Sequence, residues 1–219
     1  MAQYLKSSWI SFLMLGLVVG LGWWLSPNLP ERMPVHFNID CQPDGYGSKA
    51  LGLALLPAVN FFAILFVPFL VKFSPNSFQM MNTQKGLARV NLAMTVCLCG
   101  FQALLLLYAI KPEAVSLSLG FSCVLAAYMV LWGNYLSKIE RNFFKGIRTP
   151  WTLVSERNWS ATHRFSARLW VALGFATLAF TLFPSRFNWA LGFLLATFAL
   201  SRVYSFYFYM RYEKKTAKT

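Results

Sequence analysis

Acidic side chains are scarce in this chain: seven Asp and Glu stand against twenty Lys and Arg in 219 residues, beside only two histidines. No carboxylate pair falls inside a long apolar run. His-Glu-x-x-His, a Gly-rich phosphate loop and a nucleophile elbow are all missing. Ordinary hydrolase and pump chemistry therefore has little support, and no cofactor is called for. An internal repeat of the kind that marks alternating-access carriers is also lacking.

What the chain has in abundance is apolar surface. A hydrophobic fraction of 57%, a mean hydropathy of +0.50 and only 12% charged residues describe a polytopic membrane protein. Crossing the hydrocarbon core takes about 20 largely apolar residues. The uncharged intervals 7–30, 50–71, 90–110 and 114–137 each supply that length. Interval 169–185 is shorter and reaches Pro184, and 187–210 carries Arg202; counting both, we expect an all-α protein of about six transmembrane helices. No small-x-small site follows the first apolar run, which closes on Trp23 and Trp24, so it is expected to remain as an anchor.

Lys and Arg stay on the cytoplasmic side of short loops. With the N-terminus inside, fifteen of them fall on that side, among them Lys6, Lys72, Lys85, Arg89, seven in the central loop and the C-terminal cluster. Only Arg32, Lys49, Lys111 and Arg186 fall outside. Both termini are expected in the cytoplasm. The charge of +13 then reads as a topology and anionic-lipid signal, with no nucleic-acid partner needed. Cys41 alone would lie outside, where it pairs between chains or stays free.

The chain divides into an expected two-span unit, 1–72, holding an outer loop at 27–50, and a four-span unit, 73–219, with a cytoplasmic loop at 137–168. The outer loop, LPERMPVHFNIDCQPDGYGSK, is too rich in Pro and Gly for a helix. Pro43-Asp44-Gly45 suggests a turn, and the alternation of Val35, Phe37 and Ile39 suggests a short strand. Pro57 and Pro68 favour a kink in the second span. Asn60, Asn91, Gln102 and Asn134 read as interhelical hydrogen-bond glue. The uncharged segment from Phe73 to Gln84 reads as a plain connector.

The central loop is the most informative segment. Thr149-Pro150 is a helix start, because Thr caps free amides and Pro fits the first helical position. No Gly or Pro follows until Gly174, so an amphipathic cytoplasmic helix is expected to feed the fifth span directly or after a bend. Trp151, Val154, Thr162, Phe165 and Leu169 share an apolar face; Thr152, Glu156, Trp159 and His163 form a second stripe; Arg157, Arg164 and Arg168 form a third. An interfacial anchor explains the apolar and cationic stripes. It does not explain the Glu/His stripe, which points to a proton-sensitive contact or a polar ligand site. Arg202 either snorkels to the cytoplasmic surface or faces a polar cavity.

The stretch GNYLSKIERNFFKGIRTPWTLVSERNWSATHRFSARLWV, residues 133–171, resembles the signature of the SdpI family of bacterial membrane proteins. The outer loop resembles the N-terminal domain of unknown function found in that family. Cys41 stands where the family pattern commonly has Gly, which strains the backbone if the residue has a positive φ. The resemblance implies a six-span protein of the bacterial inner membrane that gives immunity to a secreted, membrane-active peptide toxin and signals to a cytoplasmic repressor. It carries functional roles to Arg148, Thr149, Pro150, Trp151, Thr152, Glu156, Trp159, Thr162, His163, Arg164 and Phe165 inside. Outside it carries them to Pro34, His36, Asn38, Pro43, Asp44, Gly45, Ser48 and Lys49. The alternative is a membrane enzyme or transporter for a small polar or lipid-like molecule. That reading requires Arg148, Glu156, His163 and Arg202 to converge on one pocket, whereas immunity expects them to scatter. A metal site from His36, Asp40 and Asp44 is a weaker third idea.

Overall fold

The computed structural model describes residues 2–72 and 83–214. They form an antiparallel helical bundle with one β-hairpin. Helix α1 (Ala2–Ser7) leads through Ser8 into α2 (Trp9–Leu25); strands β1 (Arg32–Phe37) and β2 (Pro43–Ser48) follow. Next come α3 (Lys49–Lys72), α4 (Thr83–Ile110), α5 (Leu117–Leu136), the short α6 (Pro150–Val154), α7 (Glu156–Phe180) and α8 (Arg186–Phe208). The expected connector at Phe73 to Gln84 lies outside the described residues up to 82.

Five helices among the described residues are long and apolar enough to cross a membrane, over 9–28, 49–66, 86–110, 117–136 and 186–213. The protein is thus an all-α polytopic membrane protein with a small two-stranded sheet. Helix α7 is a sixth long helix, 25 residues or about 37 Å. Its first turns carry the polar motif, which lowers its apolar content.

Close approach builds the central contact. A Cβ on Gly133 of α5 would stand 2.9 Å from the Ala167 carbonyl and from Trp170 Cβ; one on Gly174 of α7 would stand 2.8 Å from Val130. Two glycines, one on each helix, let the backbones of α5 and α7 meet, the small-residue device of membrane helix pairs. Around them Met129, Leu136, Trp159 and Trp170 form the buried core.

Polar glue appears at two of the four expected positions. Asn60 accepts from the Thr95 hydroxyl at 3.1 Å and donates toward Cys99 Sγ, and Gln102 donates to the Gly52 carbonyl at 3.0 Å. Asn91 is buried. Asn134 is exposed, since the buried face of α5 runs through Met129, Gly133 and Leu136 and leaves it outside. Helix α3 continues through Pro57 and Pro68.

The hairpin corrects one expectation. Pro43-Asp44-Gly45 belongs to β2, and the turn lies at 38–42. The Asn38 side chain makes that turn, its Oδ1 accepting from the amides of Asp40 (3.0 Å) and Gln42 (2.9 Å). An Asx turn here closes the loop without requiring Pro-Asp-Gly to bend. Register irregularities near His36 absorb the odd residue.

Candidate functional site

At the end of the bundle opposite the hairpin, residues 137–155 fold into a fixed loop. Asn142 is fully buried and organises it: Oδ1 accepts from the amides of Phe144 (2.8 Å) and Lys145 (2.7 Å), while Nδ2 donates to the carbonyls of Glu140 and Lys145 at 2.9 Å each. All four hydrogen bonds of the carboxamide are thereby made. Burial, helped by the nearby Arg148 charge, pulls the Lys145 pKa below the ordinary lysine value.

The loop is then pinned to α7. His163 is buried and stacks on Trp159 with ring centroids 3.9 Å apart. Its Nε2 accepts the backbone N–H of Ile147 at 3.1 Å, and Nδ1 donates to the Trp159 carbonyl at 2.8 Å. Trp159 in turn donates its indole N–H to the Ile139 carbonyl at 2.9 Å. Gly146 lies against this stack with φ of +110°, and a Cβ there would overlap His163 Nε2 and stand 3.2 Å from the Trp159 ring. Only glycine fits both the space and the backbone angle.

Helix α6 starts where the sequence indicated. Thr149 and Thr152 form a reciprocal capping box, with Thr152 N–H on Thr149 Oγ1 at 3.2 Å and Thr149 N–H on Thr152 Oγ1 at 2.9 Å. Pro150 occupies the first turn, and Thr149 Oγ1 lies 2.5 Å from Ser205 Oγ of α8. Of the two routes left open, direct or bent, the chain takes the bend, at Ser155, whose extended backbone separates α6 from α7 and whose hydroxyl caps α7 through the Asn158 N–H at 3.1 Å. Glu213, in the turn after α8, accepts from the Ser155 hydroxyl and, at 3.3 Å, from Asn158 Nδ2. Asn158 also donates to the Ser205 carbonyl and accepts from Thr162.

The buried face of α7 is therefore the polar one: Asn158, Trp159, Thr162, His163 and Ser166 point into protein. The apolar stripe of Trp151, Val154, Thr162, Phe165 and Leu169 divides: Thr162 is buried, Trp151, Phe165 and Leu169 are half-buried, and Val154 lies outside. Val154 is 84% exposed. An exposed Val154 fits the interfacial reading of that stripe, since in a bundle solvated by lipid apolar side chains are at home outside. Arg157, Arg164 and Arg168 are exposed as the cationic stripe requires.

The remaining candidates scatter. Arg148 donates to the Phe143 carbonyl at 2.7 Å; Glu156 pairs with Arg141 at 3.5 Å; Arg202 turns back to the Phe198 carbonyl of its own helix at 3.1 Å and is exposed. Trp151 rests on Phe206 and Tyr209, and Phe165 stacks on Tyr204 at 4.1 Å. Arg148, Glu156, His163 and Arg202 thus take four separate sets of partners.

In the hairpin, His36 Nδ1 meets Asp44 Oδ1 at 2.5 Å, and a Cβ on Gly45 would stand 2.8 Å from His36 Cβ. Lys49 bridges Glu31 (2.9 Å) and the Ser26 carbonyl (3.3 Å), tying α3 to the end of α2. Pro34 pairs with Tyr46, Pro43 with Phe37, and Ser48 with Arg32 across the strands. Cys41 has a φ of +61°, the strain its substitution for glycine implied, and is 5% exposed among Leu105, Leu117 and Phe121. Burial raises its thiol pKa to about 11, with Asp40 adding to the shift. No group of three His, Cys, Asp or Glu side chains among the described residues is arranged to hold a metal.

Sequence reasoning missed Gly146, Asn142, Asn158, Ser205 and Glu213. Ser155 followed by Asn158 was a readable cap, and Glu213 was the lone acid in a basic tail. The rest act through tertiary contacts that no local pattern marks.

Residues 138–209 match the model of the SdpI/YfhL protein family, and residues 13–61 match that of a domain of unknown function, DUF1648. The chain is 26% identical over 194 residues to a protein named Immunity protein SdpI from Bacillus subtilis (strain 168), covering 84% of this chain and 86% of that relative. No solved structure matches.

Proposed function

We propose that this chain, whose residues 138–209 match the SdpI/YfhL family model and which is 26% identical to an immunity protein, is itself a membrane immunity protein against a secreted, membrane-active peptide toxin. On this reading the bundle spans the bacterial cytoplasmic membrane with both termini inside. The hairpin, with His36, Asn38, Asp44, Gly45 and Lys49, faces the toxin. The loop and α7 motif face a cytoplasmic regulator. The two-span unit 1–72 and the four-span unit 73–219 divide these tasks.

One observation carries the reading: the motif side chains are spent on locking a loop and are not gathered around a reacting centre. His163 has both nitrogens engaged, and Glu156 pairs with Arg141. The enzyme or transporter alternative needs Arg148, Glu156, His163 and Arg202 in one pocket, and their separate partners give it no support.

The test is survival of toxin-sensitive bacteria expressing this chain, challenged with a membrane-active peptide toxin of the related kind, beside Arg148→Ala, His163→Ala and Asp44→Ala at matched membrane levels. Protection by the native chain that Asp44→Ala loses supports a working outer surface. Loss confined to Arg148→Ala moves that surface inside, whereas loss in His163→Ala alone reports on the loop that this buried side chain holds. Full sensitivity of cells with verified insertion of the native chain overturns immunity to that toxin class.

A further inference from the structure

A cleft of about 660 Å³ opens beside the bend at Ser155, between α6 and the turn that ends α8. Its walls include Trp151, Tyr209 and Tyr212, its charged groups are Arg157 and Glu213, Ser155 also lines it, and Val154 is exposed. Pro150 and Trp151 of the motif line it, and the proposed immunity role assigns it no ligand.

The two charges of this cleft do not neutralise one another. Arg157 lies over the rings of Phe208 and Tyr212, 5.8 Å from each centroid, and has no carboxylate partner among the described residues. Glu213 accepts one hydrogen bond on each oxygen, from Ser155 and Asn158. Each group retains capacity: a guanidinium has five N–H donors, and a carboxylate has about four acceptor positions, of which two are taken. The planar donor fork of arginine suits a phosphate. A carboxylate beside aromatic faces suits an ammonium. Cleft chemistry is therefore complementary to a zwitterion with a phosphate at one end and an amine at the other.

Position supplies the rest. The cleft sits where the long apolar stretch 186–213 ends, which for a membrane-spanning helix is the boundary between bilayer and water. Val203, Phe206, Tyr207 and Met210, all exposed on the approach along α8 and its last turn, form an apolar path from the cleft toward the bilayer interior. A ligand with a charged head and acyl chains fits both parts. We propose that this cleft is a binding site for a single aminophospholipid of the phosphatidylethanolamine class, phosphate on Arg157, amine toward Glu213 and the rings, and acyl chains along α8.

The experiment is native mass spectrometry of the full chain in detergent, stripped of lipid and titrated with dioleoyl phosphatidylethanolamine, dioleoyl phosphatidylglycerol, or water-soluble glycerophosphoethanolamine. Phosphatidylethanolamine is expected to bind about tenfold more tightly than phosphatidylglycerol. Arg157→Ala should weaken both by about tenfold and Arg157→Lys by less, because charge survives without the fork. Tyr212→Leu should weaken phosphatidylethanolamine alone. Melting temperatures are read for every variant; if Arg157→Ala fails to fold, headgroup selectivity of the native chain and the Tyr212→Leu result decide. Equal binding of the two lipids by the native chain, or unchanged binding by a folded Arg157→Ala, overturns the site. Displacement of the lipid by equimolar glycerophosphoethanolamine overturns the lipid as occupant and assigns the cleft to a soluble head compound.

Discussion

His163 accepts the backbone N–H of Ile147 on Nε2. An imidazole can do this only while that nitrogen carries no proton, and its other nitrogen already faces the Trp159 carbonyl. The loop is therefore held by a neutral histidine acting as a two-ended staple. The proton-sensitive contact suggested by the sequence becomes a structural one, in which protonation would break the Ile147 bond.

Replacing His163 by Ala should leave the Ile147 amide and the Trp159 carbonyl without a partner and open a void beside the indole. We expect a loss of about 2–4 kcal/mol, read as a lower melting temperature in detergent. His163→Gln, which keeps an acceptor within reach of Ile147, should recover part of it. Equal losses in the two variants would argue against the staple.

Gly146→Ala places a methyl group onto the His163–Trp159 stack at a φ that L residues avoid. Local rearrangement should cost at least about 2–3 kcal/mol. Hydrogen exchange over residues 138–155 should rise while the hairpin stays protected; uniform exchange across the chain would point to global unfolding.

Cys41 offers two opposed effects at one position. Glycine would relieve left-handed strain of about 1–2 kcal/mol but forfeit packing of similar size against Leu105, Leu117 and Phe121. Cys41→Gly should thus change stability by under about 1 kcal/mol, whereas Cys41→Val, β-branched in a left-handed position, should destabilise by more than about 2 kcal/mol. Denaturation midpoints of the pair decide this.

The same thiol has a pH signature. Its pKa rises from an ordinary 9.0 to about 11 in the folded chain, so the folded state keeps a proton that the unfolded state releases between those values. Stability from this group is complete below about pH 9 and is lost as pH rises toward 11. Alkylation of Cys41 at pH 8 should accordingly be slower than for the unfolded chain, and equal rates would contradict the burial.

The His36–Asp44 pair is largely exposed, with side chains 74% and 44% accessible. Pairs of this kind contribute between 0 and about 1 kcal/mol. Asp44→Ala should leave the melting temperature nearly unchanged, so that any loss of protection in that variant reports on the outer surface and not on folding.

Composition and run lengths were enough to reveal a polytopic membrane bundle, because spanning a bilayer demands long apolar helices. Thr149-Pro150 and the bend before α7 were legible for a similar reason: caps are local chemistry. The inward face of α7 was not. In a membrane, apolar and buried cease to be synonyms, so an apolar stripe gave no pointer to the face on which Asn158 and Ser166 are buried. Glu213 and Ser205 escaped because their partners lie 58 and 56 positions away.

The Ser155–Glu213 contact also orders events during synthesis. At about 5–20 residues per second, the 58 positions between them mean that the α6–α7 corner waits several seconds for its carboxylate. Helices α7 and α8 must both be threaded into the bilayer before the corner can close. A nascent chain halted within α8 would carry the whole central motif in sequence and still lack its fastening.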